Sequence, residues 1–251
     1  MYIDSHCHIL SSEYDDVNEI VEDAVKNGIE KMINNGYDIK SSLEVIELSK
    51  KYNNLYAAIG ISPDNVDQYN EKTIDFFQNL IEKNKIVAIG EVGLDYYWTT
   101  ETKEKQKIVF SEMLKLAEKN KLPVIVHSRN AFEDTYNILK KYNVTGIIHC
   151  FQGSVETAKL YTKLGFLLGV GGVVTFKNAR KLKEVVTSLP LSSFSSETDS
   201  PYLTPEPYRG SKNKPSYVIK VIEEIAQLKG VSTDVVIDTI DSNVKSKFDL
   251  N

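Results

Sequence analysis

The sequence predicts an α/β protein built as a single TIM-like (β/α)8 barrel over residues 1–251. Three observations lead there. Short β-rich runs alternate with amphipathic segments from one end of the chain to the other, the pattern of parallel strands joined by helical crossovers. Eight such runs can be read, which is the number that closes this kind of barrel. The competing arrangement, a doubly wound sheet, carries Gly-x-Gly-x-x-Gly after its first strand, and that motif is missing here.

The strands are expected at 2–6, 31–35, 55–61, 86–91, 123–127, 146–149, 166–170 and 193–198. Between them, 101–120 reads as a helix because Val109, Met113, Leu116 and Ala117 recur at helical spacing. Segments 155–164 and 178–189 read the same way, and 215–229 and 232–247 supply two helices in the last third. No Gly/Ser/Pro linker splits the chain, and no low-complexity segment or short repeat interrupts it. With 41% hydrophobic and 26% charged residues, the composition supports a sizeable core.

A formal charge of −5 argues against a broad basic surface for gripping duplex DNA. It leaves room for a nucleic-acid substrate held through bound cations, whose charge outweighs nearby carboxylates. Two cysteines make no disulfide framework. No basic n-region with a long apolar run opens the sequence, and no stretch approaches the roughly 20 apolar residues of a membrane span, so a soluble cytoplasmic protein is the expectation.

All four histidines sit at the ends of short apolar runs: His6 and His8 after Tyr-Ile-Asp-Ser, His127 after Pro-Val-Ile-Val, and His149 after Gly-Ile-Ile. Glu91 ends Ile-Val-Ala-Ile-Gly-Glu, and Glu197 and Asp199 end Ser-Phe-Ser-Ser-Glu-Thr-Asp. In a TIM barrel the strand ends form the active face. His6 and His8 are two apart, so on a strand they share one face about 6–7 Å apart, while Cys7 points away. Imidazole and carboxylate are ligands for zinc and other divalent ions. The candidate ligands His6, His8, Glu91, His127, His149 and Asp199 outnumber the three protein ligands of one catalytic zinc. Two ions sharing Glu91, about 3.5–4 Å apart, account for the count. Gly90 and Gly93 beside Glu91 suggest a close approach of backbone or ligand. Asp199 is expected to bind one ion and to accept a proton from an activated water, and Glu197 to orient a ligating histidine. Arg129 suits a phosphate, through two parallel hydrogen bonds, or a structural ion pair equally well. Cys7 and Cys150 are expected as packed, reduced thiols too far apart to bridge. The 14 tyrosines and 9 phenylalanines are assigned to packing rather than to base stacking.

Taken in order, these residues resemble the TatD-type metal-dependent deoxyribonucleases, within the amidohydrolase-like metal hydrolases. The shared motifs are Asp-Ser-His6-Cys-His8, Gly-Glu91-Val-Gly-Leu-Asp95-Tyr, Pro-Val-Ile-Val-His127-Ser-Arg129, His149-Cys-Phe-Gln-Gly-Ser, Gly-Gly-Val-Val-Thr-Phe-Lys-Asn, Glu197-Thr-Asp199-Ser-Pro-Tyr202-Leu-Thr-Pro and Arg209-Gly-Ser-Lys-Asn213-Lys-Pro215. The resemblance implies two divalent ions (zinc, manganese or magnesium), with His6, His8 and Asp199 on the first, His127 and His149 on the second, and Glu91 bridging. It implies 3′–5′ exonuclease action on single-stranded DNA, with no membrane and no obligate protein partner. Substrate contacts are expected at Arg129 and Ser62, and at Asp95, Tyr202 and Arg209 in the shared motifs. The family usually carries histidine where Ser62 stands in Gly60-Ile-Ser62-Pro63, so Ser62 is expected on the rim with a slower reaction. Two other readings keep the metals: an amidohydrolase or esterase such as an aminoacyl-RNA deacylase, and a metal-binding protein with weak catalysis.

Overall fold

The computed structural model describes residues 1–250. Eight strands lie in one parallel sheet in sequence order: β1 Tyr2–Cys7, β2 Ile29–Asn35, β3 Leu55–Ile59, β4 Ile86–Asp95, β5 Val124–Arg129, β6 Gly146–Ile148, β7 Leu167–Val170 and β8 Phe194–Ser196. The helices between and after them are α1 Val17–Lys26, α2 Ile39–Lys51, α3 Thr73–Lys83, α4 Lys103–Asn120, α5 Phe132–Leu139, α6 Val155–Lys163, α7 Arg180–Ser188, α8 Val218–Lys229 and α9 Thr233–Phe248. This is the expected barrel. Helices α1, α2, α3 and α5 add to those read from the sequence. β4 runs four residues past Glu91 to Asp95, because residues 92 to 95 pair with 126 to 129 of β5.

Strand pairing nearly closes the ring. Between β8 and β1 the ladder shrinks to one parallel bridge, Cys7 with Ser200. Other bonds complete this seam: Asp199 N–H donates to His6 O at 2.9 Å, and His8 N–H to Ser200 O at 2.8 Å. The buried Asp4 carboxylate accepts from Thr198 N–H at 2.9 Å and from the Thr198 hydroxyl at 2.5 Å.

Side chains fill the barrel. Ile3, Ile33, Ala58, Ala88, Ile125, Ile147 and Leu167 form an inner cluster, and Val244, Phe248 and Leu250 from α9 and the residues after it stopper it at the N-terminal end of the strands. A larger cluster lies between the strands and the surrounding helices. Strict alternation would turn Ile3 and His6 to opposite faces. A register irregularity between Asp4 and Cys7 removes that constraint, so Ile3 packs inside while His6 and His8 also face inward. Cys7 then lies outside, against Val21, Ala24 and Met32.

Candidate metal centre

β1 delivers His6, with His8 just beyond it; β4 delivers Glu91 and β5 delivers His127. His149 and Asp199 sit in the turns that follow β6 and β8, Asp199 with the left-handed φ of 54°. Gly93 explains how β4 and β5 come close enough. Its φ is 146°, and a Cβ there would lie 2.0 Å from the His127 carbonyl oxygen. Gly90 is also too tight for a side chain, since a Cβ would meet Ile125 Cβ at 2.7 Å. Only hydrogen fits at either place.

The other five expected ligands converge around Glu91, and its two oxygens divide them. Glu91 Oε2 lies 3.7 Å from His6 Nε2 and 3.4 Å from His8 Nε2. Asp199 Oδ1 closes this side, 3.4 and 3.6 Å from the same nitrogens. Glu91 Oε1 lies 2.9 Å from His127 Nδ1 and 3.2 Å from His149 Nε2. Donor atoms of His6, His8 and Glu91, of Glu91, His127 and His149, and of His6, His149 and Asp199 each fall within 4.8 Å of one another, so each trio could hold a cation.

The electrostatics fit that role. Burial alone would raise Glu91, but the His149 charge and hydrogen bonds from His127, His149 and His8 hold its carboxyl well below the ordinary range. Asp199 behaves alike: burial raises it, and hydrogen bonds from His6 and His8 more than reverse this. On the imidazoles burial acts downward. The facing carboxylates Asp199 and Glu91 overcome it to push His8 up to about 10, and Asp95 and Glu91 push His127 up to about 9. The pocket therefore stabilises positive charge at His8 and His127, whereas burial and the His149 charge hold His6 below its ordinary value although it too faces Asp199 and Glu91. Imidazole with carboxylate is also the donor chemistry of zinc and its neighbours.

Neighbouring groups fix which nitrogen faces the centre. His8 Nδ1 lies 2.9 Å from the Asn35 carbonyl oxygen. A carbonyl only accepts, so the proton sits on Nδ1 and Nε2 is left for the cluster. His127 is reversed. Its Nε2 lies 3.0 Å from Asp95 Oδ2, which leaves Nδ1 for Glu91 and the cation. Glu197 is fully buried, accepts from Cys150 N–H and lies 3.7 Å from His149 Nδ1, on the expected orienting side of that ring.

The expected substrate contacts scatter more widely. Asp95 is buried, and its oxygens are engaged by Tyr97 N–H at 2.8 Å and by His127. It faces His127 instead of solvent, because β4 continues to it. Ser62 is likewise buried and not on an open rim: its N–H donates to Tyr37 O, and its hydroxyl accepts from Asn65 at 3.0 Å. Tyr202 is half-exposed, its ring 6.3 Å from that of His8 and its hydroxyl 3.2 Å from Glu13 Oε1. Arg209 stacks on Phe176 at 4.0 Å. Arg129 is exposed over the Tyr97 ring at 3.8 Å, with Trp98 beside it. Both cysteines are free. Cys150 lies past the end of β6 with φ of 44°, so strand alternation does not govern its direction.

Three residues near the centre escaped the sequence reading. Tyr97 and Trp98 look like any aromatic pair until their exposure is seen. Asp64 follows Ser62-Pro63; burial lifts its carboxyl, as does the Asp95 charge, while His127 and Arg129 pull the other way. The adjacent Pro63 was the only local signal for that turn.

The sequence matches the family described as TatD related DNase over residues 3–249. YabD of Bacillus subtilis, an uncharacterized metal-dependent hydrolase, is 41% identical over 255 residues spanning all of both chains. Among solved structures, the TatD homologue YjjV of Escherichia coli superimposes with a TM-score of 0.93 at 31% identity, covering 99% of this chain and 98% of that one. A TatD family hydrolase of Entamoeba histolytica gives 0.86 at 25% identity, over 100% and 98%.

Proposed function

The chain belongs to the TatD-related DNase family of metal-dependent hydrolases, and on that premise we propose that it removes nucleotides from 3′ ends of single-stranded DNA, using two divalent ions that share Glu91. One observation carries the two-ion reading: the oxygens of Glu91 face separate donor sets, His6, His8 and Asp199 on one side and His127 and His149 on the other. When bound, such ions supply Lewis acidity to a phosphoryl oxygen and to the attacking water.

The chain's own groups do the rest. His8 and His127 present ring nitrogens whose direction is fixed by Asn35 O and by Asp95. Asp199, held ionised by His6 and His8, accepts the proton of the attacking water on a carboxylate oxygen. Arg129 offers an always-charged, planar donor to the phosphate beside the one being cut. His127 leaves 23% of its side chain exposed while His6 is fully covered, so substrate approaches from the His127 side.

The test pairs two measurements. Metal analysis of the saturated protein should give close to two ions per chain, and the same sample should shorten 5′-labelled single-stranded DNA from its 3′ end. One ion per chain would remove the shared-carboxylate arrangement. Cleavage of an aminoacyl-RNA ester, with no shortening of DNA, would replace the nuclease by an esterase.

A further inference from the structure

Immediately after β4, the chain is fastened and then released. Tyr96 is tied down by its hydroxyl, which donates to Asp134 Oδ2 at 2.9 Å, and Lys103 lies 4.5 Å above its ring. The next two side chains stay largely open: Tyr97 is 53% exposed and Trp98 is 69% exposed. Their rings meet edge to face with centroids 4.9 Å apart. Arg129, from the end of the neighbouring β5, lays its guanidinium 3.8 Å over Tyr97 and 5.3 Å from Trp98. No carboxylate lies within 4 Å of that guanidinium among the described residues; these π faces are its close contacts, while Asp64 and Asp95 feel its charge from farther off. The group is also wired to the metal centre. Tyr97 N–H binds one oxygen of Asp95, and the other oxygen holds His127.

Large apolar rings left in water beside a charged centre need a reason, since such surface is normally buried or used. Aromatic faces with a planar cation are the elements that stack unpaired nucleobases. We propose that Tyr97, Trp98 and Arg129 form a stacking ledge for an unpaired nucleobase of the DNA strand, next to the phosphodiester held at the metal centre. The ledge selects single-stranded ends, because a base inside a duplex keeps its faces against its neighbours. It tolerates different sequences, because every base offers a π face. Arg129 contributes in two directions, its plane to the stack and its charge to the adjoining phosphate. The inference rests on the phosphodiesterase reading above.

Trp98 is the only tryptophan of the chain, so its emission reports the ledge alone. Metal-loaded protein is titrated with a phosphorothioate-linked oligothymidylate, which resists cutting, and with an abasic strand of equal length and charge. The thymine strand should quench Trp98 and the abasic strand should not. In steady-state cleavage of ordinary oligothymidylate, Trp98→Ala should raise KM by about 5-fold to about 150-fold, the range for losing one base–aromatic stack. Trp98→Phe, which keeps a ring face, should restore most of it. Both signs are required: equal quenching by the two strands, or an unchanged KM in Trp98→Ala, overturns the ledge while DNA cleavage by the wild type keeps the nuclease reading intact. Failure of the wild type to cut any strand removes the nuclease reading, and the ledge falls with it.

Discussion

Replacing Asp95 by asparagine should disable one side of the metal centre and spare the other. The two Asp95 oxygens serve two donors, Tyr97 N–H at 2.8 Å and His127 Nε2–H at 3.0 Å. Asparagine keeps the shape but has a single acceptor oxygen. If that oxygen stays on Tyr97, the new NH2 faces His127 Nε2 and drives the ring to its other tautomer, with the proton on Nδ1. The nitrogen that faces Glu91 Oε1 at 2.9 Å then carries hydrogen and cannot bind an ion. If the side chain flips, Tyr97 N–H is left facing a donor in a residue only 3% exposed. A buried unpaired donor costs about 1–3 kcal/mol. Loss of a histidine-orienting partner typically costs about 10–100-fold in metal affinity, or about 1.4–2.7 kcal/mol, which agrees. The assay is competition of metal-free protein against a chromophoric chelator. One ion, at His127 and His149, should weaken by that factor, while the ion at His6, His8 and Asp199 keeps its affinity. Parallel loss of both ions would refute the division of labour across Glu91. Unchanged metal binding with a raised KM would return Asp95 to the role of substrate contact.

Three further outcomes follow from the same geometry. Glu91→Gln should lower metal content at both positions together, measured by elemental analysis after dialysis, because both donor sets use its charge; loss of one ion only would contradict a shared carboxylate. Asp199→Asn should cut kcat by about 10²–10⁴-fold at saturating metal, the usual range for general acid–base assistance, with the His127 and His149 side still loaded; an unchanged kcat would remove its proton role. Metal-free protein should melt at progressively lower temperature as pH rises from about 6.5 to about 10. The sign follows from folded-state pKa values raised above the unfolded 6.5: His8 at about 10 and His127 at about 9 stabilise the fold fully below pH 6.5, and lose that contribution as they deprotonate. Burial lifts Asp4 to about 8, which acts in the same direction over a lower range, from its unfolded 3.8 up to about 8. A melting temperature that holds or climbs over that interval, followed by circular dichroism in chelator, would show the sign to be wrong.

The barrel and its six converging side chains were legible because strand ends leave a compositional trace. Apolar runs that stop on histidine or glutamate mark both where a strand ends and what it presents there. Asp95 lies farther along β4 than the apolar run suggests, because pairing with β5 carries the strand four residues past Glu91 and buries it. Ser62 sits deeper than its place after β3 suggests, because backbone pairing to Tyr37 and a bond from Asn65 pull it inward, and neither partner is visible from local sequence. The Tyr97–Trp98 pair shows the limit most plainly. Hydrophobic content says that a ring prefers burial; only the packing tells that these two did not find it. Phe248 and Leu250 had likewise no local sign that they would stopper the barrel.

The seam between β8 and β1 makes the chain wait for itself. Asp4 and Thr198, bonded across it, stand 194 residues apart. His6 and His8 leave the ribosome early, but Asp199 emerges roughly 10–40 s later at about 5–20 residues per second. Until then the two histidines can gain β2, whose Asn35 carbonyl aims His8, and Glu91 of β4, but they lack Asp199 and the far side of the seam. Closing the ring and completing the donor set therefore both wait for the residues around Asp199. The last member of the donor set thus arrives just after the eighth strand, on the same stretch of chain that closes the seam, and α8 and α9 follow to cover and stopper the barrel.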